Sequence, residues 1–159
     1  MPAVSGRRVL GGNNIINSEV HMNHNNQIIG NAGLYFTCYH LSLLGWNAMP
    51  TARNARGIDI VAYSRDGKRY LGIQVKSLSK RAPVPLGESI ENLMGDFWVI
   101  INKVISKPTA FILTPDEVKN LAHQGKGDGR VSFWLQPKSY EIKKFRGAWD
   151  RIGRGDGEA

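Results

Sequence analysis

The strongest constraint on the fold lies in residues 57–77, where an Asp-Gly pair separates two short runs rich in β-branched residues. Such a pair between apolar runs is typical of the tight turn of a β-hairpin. Counting back from Asp66 and Gly67 places Asp59 on the first strand directly opposite Gln74 on the second. A four-residue loop around the same pair gives the same register. The sequence therefore predicts a hairpin whose pairing does not depend on the turn type.

Alternation of side chains along the two predicted strands assigns each residue to a face. Asp59, Gln74 and Lys76 are predicted on one face, with the Cβ atoms of the opposed pair about 5 Å apart. Two interpretations stay open: an exposed ion pair of slight energetic value, or a partly covered polar cluster, which Val61 and Tyr63 on the same face favour. The other face is apolar and is predicted to face the core through Ile58, Ile60, Ile73 and Val75.

Length and composition indicate one globular domain. The chain has 159 residues, of which 42% are apolar and 21% charged. It has no apolar run long enough to span a membrane and no N-terminal signal pattern, so we expect a cytoplasmic protein without a membrane partner.

The single Cys38 excludes an internal disulfide and a cysteine zinc cluster. Neither a Ser-His nor a Cys-His pair at recognisable spacing, nor a Walker-type phosphate loop, is present.

The pattern along the chain predicts alternating helices and strands, hence an α/β fold. We expect an irregular N-terminal arm over residues 1–25, one domain over 26–152 and a flexible tail over 153–159. Thr114 begins a capping pattern, with Pro115 in the first turn and Glu117 three residues after the cap. The predicted helices cover residues 26–44, 88–94, 114–124 and 140–152, the further strands 97–101, 109–113 and 131–135, and the loops 77–87 and 125–129.

Basic residues outnumber acidic ones. The chain has 21 Lys and Arg against 13 Asp and Glu, a formal net charge of +8, which favours a polyanionic partner and most simply nucleic acid. We expect the basic side chains beside the hairpin to contact DNA phosphates: Arg53, Arg56, Lys80 and Arg81.

The order of these elements, with Asp59, then Gln74 and Lys76 spaced as Asp-x14-Gln-x-Lys in a hairpin after a helix, resembles the PD-(D/E)XK nuclease superfamily. The Gln-x-Lys variant is similar to Mrr-like restriction endonucleases, and the helix before the hairpin is similar to Holliday-junction resolvases. The resemblance covers roughly residues 30–122. It implies a restriction-endonuclease-like core, a central mixed β-sheet flanked by helices.

The resemblance also implies metal-assisted hydrolysis of phosphodiester bonds. Asp59, the side-chain oxygen of Gln74 and the main-chain carbonyl of Val75 would hold Mg²⁺, with Mn²⁺ as a substitute. Lys76 would orient the attacking water or stabilise the charge of the transition state. An amide at position 74 removes one negative charge, so metal affinity should be weaker than with a glutamate.

One position departs from the family pattern. Many relatives carry a glutamate on the first helix directly after the glycine that is Gly33 here, and this chain has Leu34. No carboxylate side chain occurs between Glu19 and Asp59, so a second acid would have to come from Glu19 or from two positions further along, Glu88 and Glu91.

Three functions therefore stay open. The first is a Mg²⁺-dependent DNA endonuclease, for which a homodimer would suit cleavage of both strands. The second is a catalytically degenerate module of the same fold that binds DNA or takes part in assembly. The third is a protein-interaction module without a nucleic-acid partner. Fold alone does not distinguish them, because function resides in the site.

Overall fold

The computed structural model describes residues 25–52, 56–127 and 129–157. Its helices are α1 (Asn26–Leu43), α2 (Pro115–Leu121), α3 (Pro137–Tyr140) and a 3-10 helix, Trp149–Ile152. Its strands are β1 (Asn47–Pro50), β2 (Ile60–Tyr63), β3 (Tyr70–Ser77), β4 (Val84–Gly87), β5 (Phe97–Asn102), β6 (Thr109–Leu113), β7 (His123–Gly127) and β8 (Arg130–Leu135).

Five strands form a mixed central sheet in the order β1-β2-β3-β5-β6. The neighbours β3 and β5 run parallel and the other pairs antiparallel. Helix α1 packs on one face of this sheet, where Ile73, Val99 and Ile101 join its core. A three-stranded sheet in the order β4-β8-β7, with α2 and α3, contributes the core of the other face. The predicted α/β architecture is confirmed.

Helix α1 follows from a capped start and one apolar stripe. The Asn25 side chain accepts a hydrogen bond from the Ile28 N–H (2.9 Å), which caps the first turn. Residues spaced four apart face the sheet and are buried: Ile29, Gly33, Thr37 and Leu41. None of the helices in the described part of the chain combines the length and apolar character needed to cross a membrane.

The predicted hairpin register is confirmed. Ile60 pairs with Ile73 and Tyr63 with Tyr70, the pairing obtained by counting back from the turn. Asp66 stabilises that turn, because its carboxylate accepts hydrogen bonds from the Ser64 hydroxyl (2.6 Å) and the Lys68 N–H (3.1 Å).

Several predicted elements are wrong. Residues 88–94, all of them described, form bends and turns instead of a helix, and the predicted loop over 77–87 contains β4. Helix α2 ends at Leu121, and residues 123–127 form β7 instead of helix and loop. Residues 140–152 do not form one helix but end α3, form an irregular segment and then the short 3-10 helix.

The irregular segment after α3 has a tertiary cause. Phe145 accepts a hydrogen bond from the Ile112 N–H (3.0 Å), and the Gly147 N–H donates to Ala110 (2.8 Å), so this backbone pairs with the edge strand β6. Gly147 adopts a φ of +59°, which favours glycine. Pairing with the sheet edge thus outweighs the helical periodicity of Phe145, Trp149 and Ile152.

The segment over residues 153–157, which we expected to be flexible, is anchored by hydrogen bonds. The Trp46 indole donates to the Gly153 carbonyl (2.9 Å), the Gly155 N–H donates to Leu44 (2.9 Å) and the Arg65 N–H donates to Gly155 (2.8 Å). These contacts cover the buried Trp46 ring. The two residues in each of these bonds lie at least 90 positions apart in the chain, which no local sequence pattern reveals.

Glu117 links α2 to the C-terminal segment. It completes the predicted capping box with Thr114, binds Arg151 through both oxygens (2.8 and 2.9 Å) and pairs with Lys144 (2.5 Å). Burial raises the pKa of the Glu117 carboxyl, but hydrogen bonds from Lys144, the Thr114 backbone and Arg151 outweigh burial and bring the pKa to about 2.

Replacing Glu117 with Gln should therefore reduce stability in a pH-dependent way. The folded-state pKa of about 2 lies below the ordinary value of 4.5, so the ionised carboxylate stabilises the fold fully above pH 4.5 and loses this effect as the pH falls toward 2. We expect the difference in unfolding free energy between wild type and Glu117→Gln to shrink over that window in urea titrations. Glu91→Gln, at an exposed ion pair, is the control and should show little difference at any pH.

Candidate active site

The hairpin changes its pairing at Asp59. Ile60 is the register partner of Ile73, yet the Asp59 N–H also donates to the Ile73 carbonyl (2.9 Å). Two consecutive residues of one strand thus oppose one residue of the other, which is the geometry of a β-bulge. On its other side Asp59 stays in register with β1, because its carbonyl accepts a hydrogen bond from the Thr51 N–H (2.9 Å).

Beyond this bulge the Asp59 carboxylate takes the place of a backbone hydrogen-bond partner of Val75. In a regular ladder the next hydrogen-bonded partner of Val75 would be Ile58. Instead the Val75 N–H donates to Asp59 Oδ2 (2.7 Å), and the Ile58 carbonyl accepts from the Thr51 hydroxyl (2.7 Å). The Gln74 amide nitrogen also donates to Asp59 Oδ2. The carboxylate is thereby held where the two strands separate.

The bulge alters the predicted faces of the hairpin. Asp59 and Gln74 are in contact, as the register predicted, but Asp59 lines a pocket on the α1 side of the sheet that neither Gln74 nor Lys76 lines. Lys76 lies on the opposite face, with its Nζ 5.5 Å from the centre of the Trp98 ring. No ion pair joins it to Asp59 among the described residues. Gln74 and Lys76 share a face by strand alternation, so the expectation of three polar groups on one face is wrong for Asp59, and Ile58 joins neither core cluster.

Lys76 is nevertheless an unusual lysine. Burial lowers the pKa of its ammonium group below the ordinary value, and the negative charge of Asp59 opposes that decrease. The cation therefore lies close enough to Asp59 to be affected by its charge, in surroundings with little water. A charge in such surroundings acts more strongly on its neighbours than one in bulk water.

The pocket beside Asp59 has a volume of about 260 Å³. In a regular antiparallel ladder the N–H and the carbonyl of one hydrogen-bonded residue point toward the same neighbouring strand. Because the Val75 N–H points toward Asp59, the Val75 carbonyl also points to that side, where the bulge creates an opening. Leu34 lines this pocket, so the helix position at which the resemblance implies an acid does face the site. The remaining lining residues are Gly30, Asn31, Thr51, Ala52 and Ser77.

The oxygen donors around this pocket fit a weakly held hard cation. No group of three or more His, Cys, Asp or Glu residues that could hold a metal occurs in the described part of the chain, and Asp59 is the carboxylate at the pocket. The other oxygens that line the pocket are neutral: the Val75 carbonyl and the side chains of Asn31, Thr51 and Ser77. Gln74 does not line the pocket but contacts Asp59 through its amide. A cation that prefers oxygen and keeps several of its waters, such as Mg²⁺, matches this set.

The acids considered as substitutes for Leu34 do not supply a second carboxylate within the described residues. Glu91 pairs with Lys119 (2.9 Å), and Glu88 lines a separate surface pocket with Arg130. Glu19 lies outside the described residues.

Sequence reasoning missed three polar residues of the pocket: Asn31, Thr51 and Ser77. Asn31 lies one helical turn before Leu34, so the helical spacing was a usable signal for it. Ser77 follows Lys76, and strand alternation places it on the α1 face, which seemed free of polar site residues until the bulge turned Asp59 toward it.

The predicted DNA-contacting residues differ in their surroundings. Arg56 and Lys80 are exposed, and Arg81 is exposed but donates to Glu141 (2.5 Å), so its charge is partly compensated. Arg53 lies outside the described residues.

Comparison with known proteins supports the fold. The chain is similar to the structure of I-Ssp6803I, a bacterial homing endonuclease, with a TM-score of 0.55 and 17% identity over 81% of this chain and 93% of that one. It also matches Archaeoglobus fulgidus Hjc, a Holliday junction resolvase, with a TM-score of 0.42 and 18% identity over 67% of this chain and 90% of that one. No family model and no curated protein matches. The chain shares the fold of that homing endonuclease, an α/β fold with a mixed sheet flanked by helices.

Contact between α1 and β3 at this pocket predicts a steric effect at Gly33. A Cβ atom there would lie 1.7 Å from Ser77 Oγ and 2.8 Å from Ser77 Cβ, so Gly33→Ala should destabilise the protein by about 1–3 kcal/mol. Gly30→Ala in the same helix is the control: its Cβ meets nothing within 4 Å, and the change should stabilise by roughly 0.5–1 kcal/mol.

Urea unfolding at equilibrium measures both effects. Combining Gly33→Ala with Ser77→Gly removes the atoms in conflict, so the double variant should lose less stability than the sum of the two single changes. A Gly33→Ala protein as stable as wild type would show that the helix and strand separate easily, contrary to the close contact described.

Proposed function

We propose that this chain is a divalent-metal-dependent endonuclease that hydrolyses phosphodiester bonds of DNA. The observation that carries the proposal is the opening of the hairpin at Asp59, where a fixed carboxylate and the Val75 carbonyl face one pocket, with the partly buried Lys76 near the carboxylate. The fold shared with a homing endonuclease raises the expectation of DNA cleavage, although fold alone does not assign an activity.

The residues divide the chemistry between them. Asp59, the Gln74 side-chain oxygen and the Val75 carbonyl would hold Mg²⁺, with Mn²⁺ as a substitute. When bound, the cation would polarise the scissile phosphate and lower the pKa of its water. Before it binds, the Val75 N–H and the Gln74 amide keep the Asp59 carboxylate in place. The Gln74 amide would have to rotate by about 180° to offer its oxygen at the position where its nitrogen now donates.

Lys76 would act through its charge. Its ammonium group would orient the attacking water or stabilise the negative charge that develops on the phosphate, an interaction strengthened by exclusion of water. Because burial lowers the pKa of Lys76, the group can also release a proton more readily than an exposed lysine.

The DNA partner is supported by charge. A formal net charge of +8, with Arg56 and Lys80 exposed, would attract phosphates and make binding depend steeply on salt. Two copies related by a twofold axis would bring one pocket to each strand of a duplex, so a homodimer is the assembly we expect. The cytoplasmic location expected from the sequence is compatible with this substrate.

A second candidate function has its own supporting observation. Leu34 lines the pocket where an acid would add a negative charge, and the Gln74 amide already satisfies the single carboxylate. A domain with this site could bind DNA without cutting it.

The proposal predicts loss of cleavage when single groups are removed. With supercoiled plasmid or branched DNA and Mg²⁺ or Mn²⁺, wild type should nick the substrate. Asp59→Asn should abolish cleavage because the amide carries no negative charge for the metal, and Lys76→Met should reduce the rate by about 10²–10³-fold. Binding of the same DNAs, measured by fluorescence anisotropy without a divalent cation, should change little.

Two exposed residues provide matched controls, Asp150→Asn and Lys107→Met. Both should cut like wild type. Salt-sensitive binding without any cutting in either metal would favour the binding-only module. The absence of DNA binding at low salt would contradict both functions and favour a protein-interaction module.

A carboxylate at position 74 should lower the stability of the metal-free protein and raise its affinity for the metal. In Gln74→Glu the new charge would lie beside Asp59 Oδ2, where the amide now donates, so the metal-free protein should melt at a lower temperature than wild type. A divalent cation would neutralise the pair, so the concentration of Mg²⁺ needed for half-maximal cleavage should fall by about tenfold. A metal requirement identical to that of wild type would contradict the assignment of Gln74 to the metal.

A further inference from the structure

The pocket is lined by two further polar side chains, which we call its second polar wall. Ser77, at the end of β3, and Asn31, on α1, both line it. The Ser77 hydroxyl oxygen is buried and has no hydrogen-bond partner among the described residues. Asn31 is exposed to the pocket with its carboxamide available.

An unpartnered buried hydroxyl needs an explanation, because nearly all buried polar atoms in folded proteins have partners. The Ser77 oxygen lies against the helix backbone at Gly33, where a Cβ atom would come within 1.7 Å of it. The Gly33 carbonyl already accepts a hydrogen bond from the Thr37 hydroxyl (2.8 Å), and the adjacent Ile101 side chain is apolar. Because Ser77 also lines the pocket, a partner for this hydroxyl can come from there.

The Asp59 wall offers a cation few ligands. Asp59, the Val75 carbonyl and the Gln74 oxygen would fill three positions of an octahedral shell, and a small hard cation keeps water at the others. Those waters become strong hydrogen-bond donors and need acceptors. With Leu34 apolar and the Thr51 hydroxyl bonded to the Ile58 carbonyl, the remaining polar side chains that line the pocket beside Asp59 are Ser77 and Asn31.

We propose that Ser77 and Asn31 form the second half of the cation site, accepting hydrogen bonds from the hydration waters of a divalent cation held by Asp59 and Val75. This inference rests on the proposed function. Two neutral oxygens from different elements thus complete a site that contains a single acid. Removing either one should weaken binding of the cation without removing a direct ligand.

The first test measures binding of Mn²⁺ to the full chain by calorimetry, without DNA. Ser77→Ala and Asn31→Ala should each weaken Mn²⁺ binding by about 10–100-fold, the usual effect of losing a partner of a metal-bound group. In the absence of metal, Ser77→Ala should melt at the same temperature as wild type or higher, because the change removes a buried hydroxyl that lacks a partner. Ser132→Ala and Asn120→Ala, outside the pocket, should match wild type in both measurements.

Adding a negative charge at position 31 should have the opposite effect on Mn²⁺ binding. Asn31→Asp adds an anion to the pocket and should tighten Mn²⁺ binding by about tenfold, whereas Asn120→Asp on exposed α2 should leave it unchanged. Because Asn31 is exposed on the helix surface, its variants keep the test informative even if Ser77→Ala fails to fold.

The outcomes separate this inference from the proposed function. Suppose that Asp59→Asn abolishes Mn²⁺ binding but Ser77→Ala and both Asn31 variants leave it unchanged. That result would contradict the role of Ser77 and Asn31 and leave the proposed metal site standing. No Mn²⁺ binding to wild type, or binding that does not depend on Asp59, would overturn the proposed metal site and this inference together. Weaker binding in Ser77→Ala and Asn31→Ala with tighter binding in Asn31→Asp would establish it.

Discussion

The hydrogen bond from the Val75 N–H to the Asp59 carboxylate is the interaction on which the site depends. It replaces a backbone bond that a regular hairpin would form at this place, so the first strand can turn away without leaving a buried N–H unsatisfied. The departure opens the sheet and leaves the Val75 carbonyl facing the opening. A side chain that completes a β-ladder and a candidate metal ligand are here the same group, which couples the local fold to the chemistry.

The second constraint is the close contact of α1 with β3. Gly33 allows the helix backbone to approach Ser77, and the same approach closes the pocket on the side away from Asp59. The helix therefore supplies one wall of the site as well as half of the core. On the opposite face of the sheet Lys76 lies partly buried beside Trp98. Asp59 lies between the two faces, because it lines the pocket and also accepts a hydrogen bond from Gln74.

Local signals in the sequence predicted the parts of the fold that local interactions determine. The hairpin register followed from Asp66 and Gly67, α1 from its apolar spacing and α2 from the capping box at Thr114. The bulge at Asp59 was not predictable, because it depends on a side chain replacing the backbone of a residue beside it. The segment around Gly147 failed for a related reason: its backbone pairs with β6, and such distant pairing outweighs periodicity. Asp59 and Gln74 were correctly paired, whereas Asn31 and Ser77 emerged only once Asp59 was placed on the α1 side.

The charge of the site would decide how the proposed binding of metal and the proposed binding of DNA depend on each other. The pocket offers one carboxylate in a chain of net charge +8, and the partly buried ammonium of Lys76 lies close enough to Asp59 to reduce the attraction for a cation. A DNA phosphate at the pocket would add negative charge and an oxygen ligand, so it would bind together with the cation better than either would alone. Thermodynamic linkage makes that effect reciprocal: DNA would raise the affinity for the metal by the same factor as the metal raises the affinity for DNA. A site with one acid would then assemble fully only on its substrate, which limits hydrolysis to bound DNA.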